Sequence, residues 1–73
     1  MRYILTMVPH GAYIFKSENN ENAVLIRQCL LEDLMPALRE LETNEIYVFK
    51  SSISLEMAEL VGCAGFEIRL MEE

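Results

Sequence analysis

The alternation of apolar and polar residues predicts a β-hairpin at the start of the chain. Residues 2–8 and 12–16 are rich in β-branched and aromatic residues, and Pro9-His10-Gly11 lies between them. Proline presets the φ angle of a turn, and glycine tolerates the left-handed angle that closes one. We therefore predict two antiparallel strands, with Gly11 as a bulge residue.

The next segment has a helical spacing. Apolar residues recur every three to four positions from Ala23, and they form the stripe Ala23, Ile26, Leu30, Leu34, Ala37, Leu38 and Leu41. Asn20 or Asn22 is a candidate N-cap. Pro36 interrupts the pattern because proline lacks a backbone N–H. The segment is either one kinked helix or two helices, the second with Pro36 in its first turn. We favour a long helix with a break near residues 34–36.

The remaining residues predict a β-α-β unit. Residues 46–49 are apolar on both faces, as in a central strand. Residues 55–61 predict a short helix, with Ser54 as its N-cap and Gly62 in a left-handed conformation after it. Residues 66–71 alternate in the manner of a strand with one buried face. The two strands of such a unit are expected to be parallel.

The predicted order is therefore β-β-α-β-α-β, which belongs to the α+β class. A hairpin followed by a crossover gives a mixed four-stranded sheet with the helices on one face, a two-layer α/β sandwich. At 73 residues, the chain (1–73) is expected to form a single domain.

Two short helices can cover only one face of this sheet, although 52% of the residues are hydrophobic. We therefore predict that a different protein or a second copy covers the other face, because aromatic residues and methionine are enriched in interfaces. The candidate contact residues are Tyr3, Leu5, Met7, Tyr13, Phe15, Tyr47 and Phe49. The alternative is a partly apolar exposed sheet without a partner.

Twelve acidic residues against six basic residues give a net charge of −6. Such a surface favours basic protein partners and repels nucleic acid, so direct nucleic-acid binding is not expected. The acidic candidates for partner contact are Glu32, Asp33, Glu40, Glu56 and Glu59. With Glu42, the same carboxylates could instead imitate phosphates and block a DNA- or RNA-binding protein.

The sequence predicts no catalytic residues, metal ligands or cofactor. His10, the sole histidine, is interpreted as an exposed turn residue. Cys29 is interpreted as a packing residue, and Cys63 lies near a helix C-terminus, where the dipole disfavours a thiolate. Since no apolar stretch approaches about 20 residues, no membrane association is expected. Free thiols and the absence of a signal-peptide pattern indicate the cytoplasm.

The leading hypothesis is a small non-catalytic protein-binding module, an inhibitor, adaptor or regulator. This profile is typical of small accessory proteins of phages and mobile elements. The alternatives are a small enzyme or ligand-binding domain with a site at a homodimer interface, and the nucleic-acid mimic. An accessory domain of a larger complex is a further alternative.

Overall fold

Five strands form one mixed sheet in the computed structural model, which describes residues 2–18 and 22–72. The elements in chain order are β1 (Arg2–Val8), β2 (Gly11–Ser17), β3 (Val24–Leu30), α1 (Leu34–Arg39), β4 (Glu45–Phe49), α2 (Leu55–Cys63) and β5 (Glu67–Met71). Single-turn 3-10 helices at Leu31–Asp33 and Lys50–Ser52 precede α1 and α2. The strands lie side by side in the order β3-β2-β1-β4-β5.

The predicted hairpin is confirmed, but the role predicted for Gly11 is wrong. Strands β1 and β2 are antiparallel, and Val8 lies opposite Gly11, so Pro9 and His10 alone make the turn. Gly11 is therefore the first residue of β2, in regular register. The irregularity lies in the pairing of β2 with β3. Ile14 pairs with Arg27 and Phe15 with Leu25, so Ile26 is an extra, bulged residue of β3.

The long helix predicted from Ala23 is wrong in its first half, because residues 24–30 form β3. This strand pairs antiparallel with β2, which supplies hydrogen-bond partners for its backbone. Val24 and Ile26 are β-branched and favour extended structure. The sheet therefore has five strands in the described residues, and the observed order is β-β-β-α-β-α-β. Asn22 precedes a strand and cannot cap a helix, and Asn20 lies outside the described residues.

The helix that does form in this region is short. Helix α1 begins at Leu34 and ends at Arg39, so Pro36 lies in its first turn, where a missing N–H breaks no intrahelical bond. The arrangement matches the second helix of the two-helix alternative.

The β-α-β prediction is confirmed. Strand β4 lies between β1 and β5 and is parallel to both. The end of the intervening helix differs from the prediction. Gly62 lies within α2, which continues to Cys63, and Gly65 adopts the left-handed conformation with φ of 100°.

Ser54 caps α2 as predicted, because its hydroxyl accepts a hydrogen bond of 3.1 Å from the backbone N–H of Met57. We expect Ser54→Ala to lower the free energy of unfolding by about 1 kcal/mol, since an N–H at the helix start loses its acceptor. Ser54→Asp keeps an acceptor oxygen and should retain stability. Urea denaturation measures both variants, and equal losses would contradict the capping role.

Both helices pack on one face of the sheet. Leu5, Ile14 and Val48 share that face, because Leu5 lies opposite Ile14 in β2 and Val48 in β4. The fully buried core consists of Leu5, Ala12, Ile14, Leu34, Ala37, Leu38, Ile46, Val48 and Val61. Since these residues come from three strands and both helices, they define the two layers.

Candidate interaction surfaces

The face of the sheet opposite the helices is apolar in its centre. Ile4 lies opposite Phe15 in β2 and Tyr47 in β4, and Thr6 lies opposite Tyr13. We call this surface the open face; its central residues are Ile4, Thr6, Val8, Tyr13, Phe15, Tyr47, Phe49 and Met71. All are partly exposed, and none belongs to the core cluster of the described residues.

The structure divides the sheet residues predicted to bind a partner. Tyr13, Phe15, Tyr47 and Phe49 lie together on the open face. Tyr3, Leu5 and Met7 lie on the face that the helices cover. Leu5 is completely buried, and the other two pack against the core, so their assignment to an uncovered face is corrected.

The open-face residues of β1 were not among the predicted contacts. They are Ile4, Thr6 and Val8, and the length of the hairpin turn is the signal that could have identified them. A two-residue turn places Val8 opposite Gly11 and therefore Ile4 opposite Phe15. Directly opposite residues of an antiparallel pair point to the same face.

Aromatic contacts order the side chains of the open face. The rings of Tyr13 and Phe15 meet edge to face, with 6.4 Å between their centroids. The guanidinium carbon of Arg2 lies 4.9 Å from the centre of the Tyr47 ring, a cation–π arrangement. These contacts restrict the side chains of the open face to fewer orientations.

A charged cluster occupies one end of the open face. Arg69 of β5 lies 2.9 Å from the carboxylate of Glu67 and 3.7 Å from that of Glu45. A hydrogen bond to the Glu45 carboxylate raises the pKa of Tyr47 above its ordinary value. Tyr47 is therefore a neutral hydrogen-bond donor at physiological pH.

A hollow of about 560 Å³ lies at the opposite end, beside the hairpin turn. Its walls include Val8, Tyr13, Gln28 and Leu30. A side chain of another molecule could enter this hollow from the open face.

The predicted acidic contacts lie outside the open face. Glu32 and Asp33 form part of the 3-10 turn before α1, while Glu56 and Glu59 lie on α2; all four are exposed. Glu40 forms an ion pair with Arg27 of β3. Within residues 2–18 and 22–72, none of the other four carboxylates forms an ion pair.

The residues considered for chemistry lie apart from the open-face centre. His10 is exposed in the hairpin turn, and Cys63 is exposed at the end of α2. Burial raises the pKa of the Cys29 thiol, with a smaller opposing effect of Arg27. No group of three or more metal-ligating side chains occurs in the described part of the chain. Among the same residues, no helix has the length and apolar character needed to cross a membrane.

No family model matches this chain, and neither the curated proteins nor the solved structures include a match.

Proposed function

We propose that this protein is a non-catalytic protein-binding module that docks a partner on the open face. The observation that carries the proposal is the group of partly exposed aromatic and aliphatic residues that neither helix covers. Tyrosine, phenylalanine and methionine are enriched in interface centres, and a few buried aromatic residues supply most of the binding energy. Such a module would act as an inhibitor, adaptor or regulator.

The shape and charge of the open face indicate what a partner presents. The hollow beside Gly11 fits an apolar side chain as an anchor, since Val8, Tyr13 and Leu30 contribute to its walls. The ion-paired cluster around Arg69 offers polar contacts at the rim of the interface. The net charge of −6 attracts a basic protein and accelerates its association.

A nucleic-acid mimic is the second candidate, and the unpaired carboxylates of Glu32, Asp33, Glu56 and Glu59 favour it. In that case the partner would bind the acidic helix layer instead of the sheet. Salt distinguishes the two candidates, because ions screen exposed charges but leave apolar contacts largely intact. Binding through the open face should persist at high salt, whereas mimicry should weaken steeply.

Thr6→Lys tests the proposed use of the open face. Thr6 lies at its centre, opposite Tyr13, and has no place in the core cluster. A lysine there introduces a charge that a partner would have to desolvate. Affinity capture from the native host, followed by titration of the captured protein, should show at least a tenfold loss of affinity.

Leu60→Lys is the matched control. Leu60 lies on α2 and is 53% exposed, so the same type of charge is introduced on the helix layer. Circular dichroism checks that both variants fold. The proposal fails if Thr6→Lys binds as tightly as the native chain, or if Leu60→Lys alone loses the partner.

A further inference from the structure

Strand β3 forms an edge of the sheet and exposes an unusual number of apolar side chains. Of the eight exposed large hydrophobic residues in the described chain, five lie in or directly after this strand: Val24, Leu25, Ile26, Leu30 and Leu31. An edge strand also presents backbone N–H and C=O groups that no neighbouring strand pairs. The outer side of β3 therefore offers both apolar contacts and hydrogen bonds to another strand.

The two edges of the sheet differ in their protection. Edge strand β5 has five residues, includes Glu67 and Arg69, and is followed by Glu72. Charged side chains on an edge discourage pairing with other molecules. Strand β3 has seven residues, a bulge at Ile26 and one charge, on Arg27, which is already paired with Glu40 of the same chain.

We propose that β3 pairs antiparallel with β3 of a second copy of this chain, around a twofold axis at Gln28. The two sheets would then form one continuous sheet of ten strands. In this register Gln28 faces the partner's Gln28, and the bulged residue Ile26 faces the partner's Leu30, the last residue of the strand. Arg27 faces the neutral side chain of the partner's Cys29.

The sequence of β3 favours a second copy because it is complementary to itself in this register. Apolar residues lie on both sides of Gln28, whose amide carries both a donor and an acceptor for its symmetry mate. An axis at Arg27 would instead oppose two guanidinium groups, which is destabilising. An axis at Cys29 would pair only residues 28–30, because the chain turns into a 3-10 helix at Leu31–Asp33.

Charge also favours a second copy at this edge. Each chain carries a net charge of −6, so two copies can approach only through a surface with few acids. Residues 22–31 contain no Asp or Glu.

Sedimentation analysis from micromolar to millimolar concentration tests this dimer. Since interfaces below about 1,200 Å² belong mostly to weak complexes, a strand-to-strand contact should dissociate in the micromolar range. The apparent mass should rise with concentration from 8.4 kDa towards twice that value. Leu30→Lys should remain monomeric, whereas Leu60→Lys should associate like the native chain. Leu30 and Leu60 are 56% and 53% exposed, so the same change is compared at similar positions.

A cysteine cross-link tests the register, in a Cys63→Ser background. Directly opposite Cα atoms of an antiparallel pair lie about 4.5–5.5 Å apart, within the range that a disulfide spans. Gln28→Cys should therefore yield a covalent dimer on oxidation. Leu25→Cys should yield far less, because Leu25 is offset from its own symmetry mate.

A native chain that stays monomeric at all concentrations would overturn the proposal, even if another protein's strand binds β3. Association that survives Leu30→Lys, or a Leu25→Cys cross-link that forms faster than that of Gln28→Cys, would also overturn it. Thr6→Lys should leave association unchanged, because the dimer does not depend on partner binding at the open face. Loss of association in Thr6→Lys alone would assign self-contact to the open face and contradict the edge pairing.

Discussion

Replacing Leu5 with alanine should lower the free energy of unfolding by about 3 kcal/mol, since truncating a buried leucine loses apolar burial and leaves a cavity. Leu5 is completely buried between the sheet and the helices. Ile4, the preceding residue, points to the open face and is partly exposed. Ile4→Ala should therefore cost about 1 kcal/mol, in proportion to the smaller apolar area that it buries.

Urea denaturation of the two variants tests which face of β1 belongs to the core. The pair is well matched, because both substitutions remove three carbon atoms from neighbouring positions of one central strand. Equal losses of stability would mean that both faces are covered, and the open face would then not exist. A larger loss for Ile4→Ala would reverse the assignment of the faces.

Gly11→Ala should also destabilise the fold strongly, although it adds a single methyl group. A Cβ atom at Gly11 would overlap the carbonyl oxygen of Cys29 in β3, and backbone cannot move aside as a flexible side chain can. Forcing extra volume into a packed region costs about 1–3 kcal/mol. We expect the upper end of this range, because relief of the overlap requires separation of β2 from β3.

Gly62→Ala is the control for that substitution. Gly62 lies in α2, and a Cβ atom there would meet nothing within 4 Å. Alanine in a helix interior is favoured over glycine by about 0.5–1 kcal/mol, so this variant should be slightly more stable than the native chain. Thermal unfolding should therefore show opposite shifts for the two glycines. A neutral Gly11→Ala would contradict the close approach of β3.

The elements that could be predicted from the sequence are those with local signals. Pro9 marked the hairpin turn, Ser54 marked the start of α2, and the apolar run at 46–49 indicated a central strand. Each signal acts through neighbouring residues, and tertiary contacts agree with it. The α+β class and the single helix layer followed from these elements.

The segment at 24–30 could not be assigned in this way, because its apolar residues fit a helical stripe as well as an edge strand. Pairing with β2 decided between the two, and that contact is not visible in local spacing. The left-handed glycine was misplaced for a related reason. Both Gly62 and Gly65 can end a helix, and α2 continues through the first of them.

The residues that share the open face were only partly predicted from the sequence. Tyr13, Phe15, Tyr47 and Phe49 were correctly placed on one side of the sheet. Assigning Leu5 to the same side required the pairing register of β1 with β2, which residue types alone do not reveal. The exposed edge of β3 could not be predicted, because the helical spacing of that segment predicts a helix and not a strand.

The contact between β1 and β4 joins an antiparallel half of the sheet, β1 to β3, to a parallel half, β4 and β5. Strands β1, β2 and β3 follow one another in the chain, so their antiparallel pairings close short loops at small entropic cost. The parallel contact joins residues more than 40 positions apart and aligns only Ile4 with Tyr47 and Leu5 with Val48. Such distant contacts form slowly. We therefore expect β1, β2 and β3 to assemble early. Formation of the contact between β1 and β4 should limit the rate of folding, and this contact should be the first place where the native sheet opens.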